Sequence, residues 1–200
     1  MDENDPKDIL HRYLRTAREA MLWKLDGLEE YDVRRPLVRT GTNLLGLVKH
    51  LASVELGYFG DTFGRPSGID LPWWSDDAEP NSDLWATPEE TREEVVDLYR
   101  RAWEHADETI RMLDLEARGN VPWWPEGRNE VTLHRILVHV GTETHRHAGH
   151  ADIVRELIDG SVGLRPGNDN VWAGKDEGYW DAHRERVEAA AREAAKRATG

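Results

Sequence analysis

The architecture of this chain follows most directly from residues 132–160, which read TLHRILVHVGTETHRHAGHADIVRELIDG. Apolar residues recur there at three- and four-residue steps, the spacing of an amphipathic helix. Thr132 can cap the N-terminus of such a helix, and Gly160 can end it in a left-handed conformation. We therefore predict a single helix between these two residues, with an apolar face that other helices must cover.

The apolar face of this helix also carries ionisable side chains. On a helical wheel of about 100° per residue they are His139, Glu143, His147 and His150. Burying a carboxylate beside imidazoles is unfavourable unless a positive charge compensates it. Glu143 and His147 are one turn apart, so both can bind the same divalent cation. A hydrogen-bonded Glu–His pair in the core is the alternative, and the number of ionisable groups in one apolar arc favours the metal.

Composition excludes several classes of function. The 200 residues contain no cysteine, which rules out disulfides, thiolate metal ligands, iron–sulfur clusters and a cysteine nucleophile. Any thiol chemistry must therefore use an external thiol. The formal net charge of −13 opposes a nucleic-acid partner. The acidic N-terminus and the lack of a long apolar run predict a soluble, cytoplasmic protein without a membrane segment.

Three more long helices are predicted before this one. Their predicted ranges are residues 6–30, 43 to 59–63, and 87 to 114–119. Thr87 is the predicted N-cap of the third helix, because Pro88 and Glu90 follow at positions that favour a helix start. No run of alternating apolar and polar residues is long enough to predict a strand. The predicted fold class is all-α, a four-helix bundle with long inter-helix loops and a C-terminal helical extension.

The extension begins after the fourth helix. A linker rich in Gly, Pro and Asn occupies residues 163–168, and alanines with spaced Glu–Arg pairs favour a helix over residues 179–198. We predict that residues 1–165 form the bundle, and that residues 166–200 form the linker and a helix packed on it. That helix is either a packing arm or dimer contact, or a solvated helix that frays at its end.

A histidine on the second predicted helix is a candidate third ligand. His50 lies on the apolar face of that helix, near Leu47, Leu51 and Val54. A lone histidine at such a position is more often a hydrogen-bonded core residue. Here it can also complete the metal site, because the pair on the fourth helix needs a ligand from another element.

Two loops repeat the sequence Pro-Trp-Trp. The chain has nine tryptophans against two phenylalanines, and an indole offers a flat apolar wall with one hydrogen-bond donor. The loop residues are Trp73, Trp74, Trp123 and Trp124. These side chains either form the walls of one pocket or cover the bundle core as lids.

Five segments resemble the DinB/YfiT-like metalloprotein superfamily, in a branch of domains of unknown function close to mycothiol-dependent enzymes. They are Gly46–Glu55, Thr87–Thr91, Val121–Pro125, Leu137–Val140 and Glu143–Glu156. The resemblance extends from the N-terminus to about residue 165. Its most specific part is the Glu-x-x-x-His-Ala-Gly-His pattern over residues 143–150.

The resemblance implies a metal site and a cosubstrate. In this superfamily one histidine from the second helix and an i, i+4 pair from the fourth helix bind a divalent ion, usually zinc or nickel. By this match the ligands are His50, Glu143 and His147, and zinc is the favoured metal. Many relatives have histidine in place of Glu143, and the His/Glu/His set is similar to that of mycothiol-dependent maleylpyruvate isomerase. Relatives are often dimers, so a homodimer is expected.

Three protein ligands leave at least one coordination position open, as in catalytic metal sites. The leading hypothesis is a metal-dependent thiol S-transferase or isomerase without a protein nucleophile. The cation would lower the pKa of a small thiol such as mycothiol and hold the thiolate for attack on an electrophile. A metal-dependent hydrolase with activated water is one alternative, and a non-catalytic metal-stabilised protein that binds a small ligand is another.

His139 and His150 have less definite predicted roles. Either can act as a general base, or can hydrogen-bond a ligand and hold its orientation. Either can also replace one of the assigned ligands.

Overall fold

The computed structural model of the chain describes residues 4–75, 77–167, 171 and 176–198. In chain order, its α-helices and strands are α1 (Pro6–Trp23), α2 (Glu30–Arg34), α3 (Leu44–Glu55), α4 (Arg92–Met112), β1 (Arg118–Asn120), β2 (Glu130–Thr132), α5 (Leu133–Asp159) and α6 (Glu177–Ala198). A π-turn at Leu56–Gly60 continues α3. Within the described ranges, no helix has both the length and the hydropathy that a membrane crossing requires.

The helices α1, α3, α4 and α5 form the bundle. α1 packs mainly on α5, and α3 packs mainly on α4. Their apolar faces meet in a core that includes Met21, Leu51, Tyr99 and Val140, all fully buried. Burial of these faces is the main favourable contribution to the stability of the bundle. The predicted all-α bundle is confirmed.

The first helix is shorter than predicted, because it ends at Trp23 and not at residue 30. The chain then turns at Gly27, where φ is +73°. Arg155 of α5 donates hydrogen bonds from Nη1 to the carbonyl oxygens of Trp23, Lys24 and Asp26. Carbonyl groups at a helix end lack partners within the helix. A tertiary contact therefore stabilises the end of α1.

The predicted start of the third helix at Thr87 is wrong. The N-cap of α4 is Thr91, whose hydroxyl accepts from the Glu94 amide while the Glu94 side chain accepts from the Thr91 amide. Two consecutive stretches, residues 87–90 and 91–94, match the capping pattern Thr-x-x-Glu. The first stretch forms a turn, in which the Glu90 side chain accepts from the Thr87 amide and also pairs with Lys49 at 2.8 Å.

The fourth helix has the predicted caps, and the small sheet beside it is unexpected. Thr132 Oγ1 accepts from the Arg135 amide, and Gly160 is left-handed with φ +77°. β1 and β2 pair in antiparallel fashion with Gly119 opposite Val131. Three residues per strand are too few to produce a recognisable alternation.

The helix α6 corresponds to the helix predicted over residues 179–198. Its described side chains are exposed, apart from that of Tyr179, which is half-buried. The packing of this helix on the bundle and the domain boundary after residue 165 stay predictions.

Candidate metal centre and cavity

The three predicted ligands lie together on facing helices. α3 carries His50, and α5 carries Glu143 and His147 one turn apart. One donor atom from each residue lies within 4.8 Å of the other two. Glu143 Oε1 is 3.0 Å from His147 Nε2 and 3.7 Å from His50 Nε2. The side chains are 20% exposed for His50, 33% for Glu143 and 12% for His147, so a ligand can reach the group from solvent.

A fourth residue, Asp83, orients the histidine of α3. Asp83 Oδ2 lies 2.6 Å from His50 Nδ1, and the other ring nitrogen, Nε2, faces Glu143. A carboxylate on the far nitrogen is the usual way in which proteins hold a histidine ligand. Sequence reasoning missed Asp83 because it lies in a short turn, Ser82–Leu84, within the long loop between α3 and α4. No motif in that loop distinguishes it from the other acidic residues.

Charges within this group shift its pKa values. Burial opposes ionisation of Glu143, but His147 and His50 outweigh it and lower the pKa of Glu143. Burial and the neighbouring His50 lower the pKa of His147. The hydrogen bond with His50 lowers the pKa of Asp83. At neutral pH the group therefore holds two carboxylates beside a neutral His147, a combination that suits a cation.

The two other predicted histidines lie beside this group. His139 packs edge-on against Tyr58, with ring centroids 4.8 Å apart, and burial lowers its pKa. His150 is exposed, and its Nδ1 lies 3.4 Å from His147 Nδ1. The prediction that His150 faces the core is wrong, because the helices packed on α5 cover a narrower arc than the wheel assumes. Glu143 and His147 lie at the edge of that arc, where it meets solvent.

The group formed by His50, Glu143 and His147 lies beside a cavity of about 610 Å³. The aromatic part of the cavity wall consists of Tyr58, Trp73, Trp74 and Trp123. His50, His139 and Glu143 reach the same cavity from α3 and α5. Trp124 does not line it, and its Nε1 instead donates to the Tyr58 hydroxyl at 3.0 Å.

The π-turn at Leu56–Gly60 brings the two Pro-Trp-Trp loops together. A Cβ atom at Gly57 would lie 2.6 Å from the Trp74 ring and 2.8 Å from the Trp123 ring. Only glycine leaves room for both indoles, whose centroids are 5.9 Å apart. The next residue, Tyr58, projects its ring into the same wall. π-turns are frequent at functional sites, and this one shapes the cavity.

A comparison with protein-family models matches residues 9–160 to the family described as Mycothiol-S-transferase. The matched range covers α3, α4, α5 and all of α1 except its first three residues, and it includes all three predicted ligands. The chain belongs to this family. It is thus a member of the DinB/YfiT-like superfamily, as the resemblance implied. A search of curated proteins found no match.

Membership in the mycothiol S-transferase family associates the chain with transferase chemistry and a thiol cosubstrate. The composition agrees with an external thiol, since the chain has no cysteine of its own.

Proposed function

We propose that this member of the mycothiol S-transferase family is a divalent-metal-dependent enzyme that joins the sulfur of mycothiol to a small, uncharged electrophile. One observation carries the proposal: three donor atoms from facing helices converge at the wall of a cavity large enough for a small molecule. Ligand sites in proteins are typically concave, largely apolar and supplied with a few directed polar groups.

The donor set fits a divalent cation. Two imidazole nitrogens and a carboxylate oxygen are preferred zinc ligands, with bond lengths of about 2.0–2.2 Å. Two ligands of one ion therefore lie at most about 4 Å apart, so donors already within 4.8 Å need only small side-chain adjustments. We propose zinc as the metal, with nickel as the alternative, since imidazole suits both ions.

When bound, such a cation lowers the pKa of a coordinating thiol, which favours the nucleophilic thiolate at neutral pH. The protein's own side chains would hold the metal ligands in place and accept the thiol proton. Asp83 holds the His50 ring with Nε2 toward the site. The lowered pKa of His139 keeps this residue neutral, and it lines the cavity. We propose that His139 accepts the thiol proton on a ring nitrogen.

The cavity lining indicates an uncharged electrophile. The described lining residues include two carboxylates, Glu79 and Glu143, and they include no lysine or arginine. Lys49 contacts the ring of Trp73 at 4.0 Å, but its amino group is bound by Glu90 and two loop carbonyls. An anionic substrate would find no cationic side chain in the lining, and the thiolate would already occupy the proposed cation. We therefore propose transfer to a neutral molecule over isomerisation of an oxo-acid.

The test combines metal analysis with a conjugation assay. The protein is stripped with a chelator, reloaded with zinc or nickel, and assayed with mycothiol and 1-chloro-2,4-dinitrobenzene. Wild type should bind one metal ion per chain and form the S-conjugate, whereas His50→Ala and Glu143→Ala should lose both properties. His145→Ala is the matched control, because His145 is exposed on α5 and bonds only the Gly141 carbonyl of its own helix.

Three results would overturn the proposal. Full metal retention in both ligand variants would refute the assignment of the site. Ester hydrolysis without thiol by the loaded protein would favour a hydrolase. Stoichiometric metal with no turnover of any thiol would favour a binding protein.

A further inference from the structure

Tyr58 lines the cavity, and its hydroxyl has an unusual set of hydrogen bonds. Its oxygen accepts hydrogen bonds from two indoles, Trp124 Nε1 at 3.0 Å and Trp123 Nε1 at 3.3 Å. Tyr58 and Trp123 line the cavity, and the Tyr58 ring packs against His139, one turn of α5 from Glu143.

Two donated hydrogen bonds fill the acceptor capacity of a phenol oxygen. The hydroxyl can still donate one hydrogen bond through its own proton. Among the described residues, no acceptor for that proton is found. A polar hydrogen without a partner at the wall of a largely aromatic cavity is a directed donor for a ligand. By contrast, the N–H of Trp73 is already bound to Ser53 Oγ at 2.8 Å.

We infer that the Tyr58 hydroxyl is a catalytic hydrogen-bond donor that activates the carbonyl oxygen of an α,β-unsaturated ketone or aldehyde. This inference rests on the proposed function, because it requires a thiolate nucleophile in the same cavity. It specifies the electrophile as an uncharged molecule with an acceptor oxygen conjugated to the reacting carbon.

The step balances as a conjugate addition. The thiolate sulfur forms a bond to the β-carbon, the C=C π electrons shift toward the carbonyl, and negative charge develops on the oxygen. The Tyr58 O–H strengthens its hydrogen bond to that oxygen as the charge grows, which lowers the barrier. The α-carbon then takes the proton that His139 accepted from the thiol, so thiol and electrophile combine without any other reactant and His139 returns to its neutral form.

The test compares two uncharged aromatic electrophiles on the metal-loaded protein with mycothiol. 4-Phenylbut-3-en-2-one has the conjugated carbonyl, and benzyl chloride has no acceptor oxygen. Tyr58→Phe should lower kcat/KM for the ketone by about 100-fold, the cost of losing one preorganised donor, and leave benzyl chloride turnover within about twofold. Tyr13→Phe, an exposed tyrosine on α1, is the matched control and should change neither rate.

A binding measurement provides a readout that does not depend on turnover. 4-Phenylbutan-2-one and butylbenzene are titrated against wild type and Tyr58→Phe, with tryptophan fluorescence as the signal. Tyr58→Phe should weaken ketone binding about tenfold, equivalent to about 1.4 kcal/mol for one hydrogen bond, and leave hydrocarbon binding unchanged. If Tyr58→Phe does not fold, 3-fluorotyrosine at position 58 replaces it. This stronger donor should tighten ketone binding alone.

An equal drop in kcat/KM for both electrophiles in Tyr58→Phe, or an equal drop in affinity for both ligands, would overturn the inference. Either result would show that Tyr58 only shapes the cavity wall. An unchanged ketone rate and unchanged ketone binding would overturn it as well. If wild type turns over neither of these electrophiles nor 1-chloro-2,4-dinitrobenzene, the proposed function fails. In that case the binding measurement with 4-phenylbutan-2-one and butylbenzene still shows whether the Tyr58 hydroxyl donates to a bound carbonyl.

Discussion

α3 contributes to two ionisable clusters that differ in how their charges are balanced. In the closed cluster, Glu55 of α3 meets Arg18 of α1 and Asp107 of α4. Arg18 and Glu55 are buried and share two hydrogen bonds of 2.8 and 2.5 Å. A third bond of 2.6 Å joins Arg18 to Asp107. The Arg18 guanidinium and the His11 ring, whose Nε2 lies 2.8 Å from Asp107 Oδ1, face the two carboxylates of this cluster.

The open cluster consists of His50, Asp83, Glu143 and His147, and includes the three proposed metal ligands. In the part of the chain that the structure describes, no lysine or arginine donates a hydrogen bond to it. Its excess charge is negative, its side chains are partly exposed, and it borders a cavity. The comparison teaches that an ionisable cluster indicates a ligand site when no arginine or lysine pairs with its carboxylates and its converging donor atoms border a cavity.

The largest expected effect comes from breaking the closed cluster. Arg18→Met leaves Glu55 buried without its partner, so the free energy of unfolding should fall by about 3–5 kcal/mol. Urea unfolding followed by circular dichroism measures this loss. Arg192→Met removes an exposed ion pair with Glu188 on α6 and should cost less than about 0.5 kcal/mol. Metal bound per folded molecule should not change, and a decrease in Arg18→Met would contradict the independence of the two clusters.

An intermediate effect is expected at the positioning residue of the open cluster. Asp83→Asn replaces the carboxylate that orients His50, so metal affinity should fall about 10–100-fold, with little change in the free energy of unfolding. Competition with a chromophoric chelator measures the affinity. Glu79→Gln changes another carboxylate at the cavity that has no bond to His50, and should leave the affinity unchanged. Equal affinities for Asp83→Asn and wild type would show that His50 is oriented by other contacts.

The smallest effect is expected for the pair of buried Arg155 and partly exposed Asp159. Their hydrogen bond lowers the pKa of Asp159 from 3.8 to about 2. Because the folded-state pKa is the lower one, the stabilisation is present above pH 3.8 and is lost as the pH falls through about 2. Solvent screens this 32% exposed carboxylate, so we expect less than about 1 kcal/mol. Asp159→Asn should remove this part of the acid dependence in unfolding measurements between pH 4 and pH 2, and an unchanged slope would contradict the assignment.

Local sequence signals predicted the helices well where their ends are capped locally. Asn43, Thr132 and Gly160 all act as predicted, because a cap involves only neighbouring backbone groups. The predictions failed where a distant side chain intervenes. Arg155 binds the carbonyls at the end of α1, and Lys49 pairs with Glu90 ahead of α4.

The candidate site was predictable in its helical half and not in its loop half. Glu143 and His147 are recognisable because one turn of helix places their side chains together, and His50 follows from its inward position on another helix. Asp83, Gly57 and the hydroxyl of Tyr58 carry no local signal. Their roles depend on which loop reaches which helix.

Sequence alone determined the helical class, the four bundle segments, the absence of a protein thiol and the three ionisable residues that meet at the site. These properties depend on periodicity, capping and composition, all of which act over a few residues. Only the tertiary structure decided that Asp83 holds His50, that Trp124 lies outside the cavity lining, and that the two tryptophan loops meet at Gly57. Those contacts join residues far apart in the chain, and packing of the whole bundle selects them.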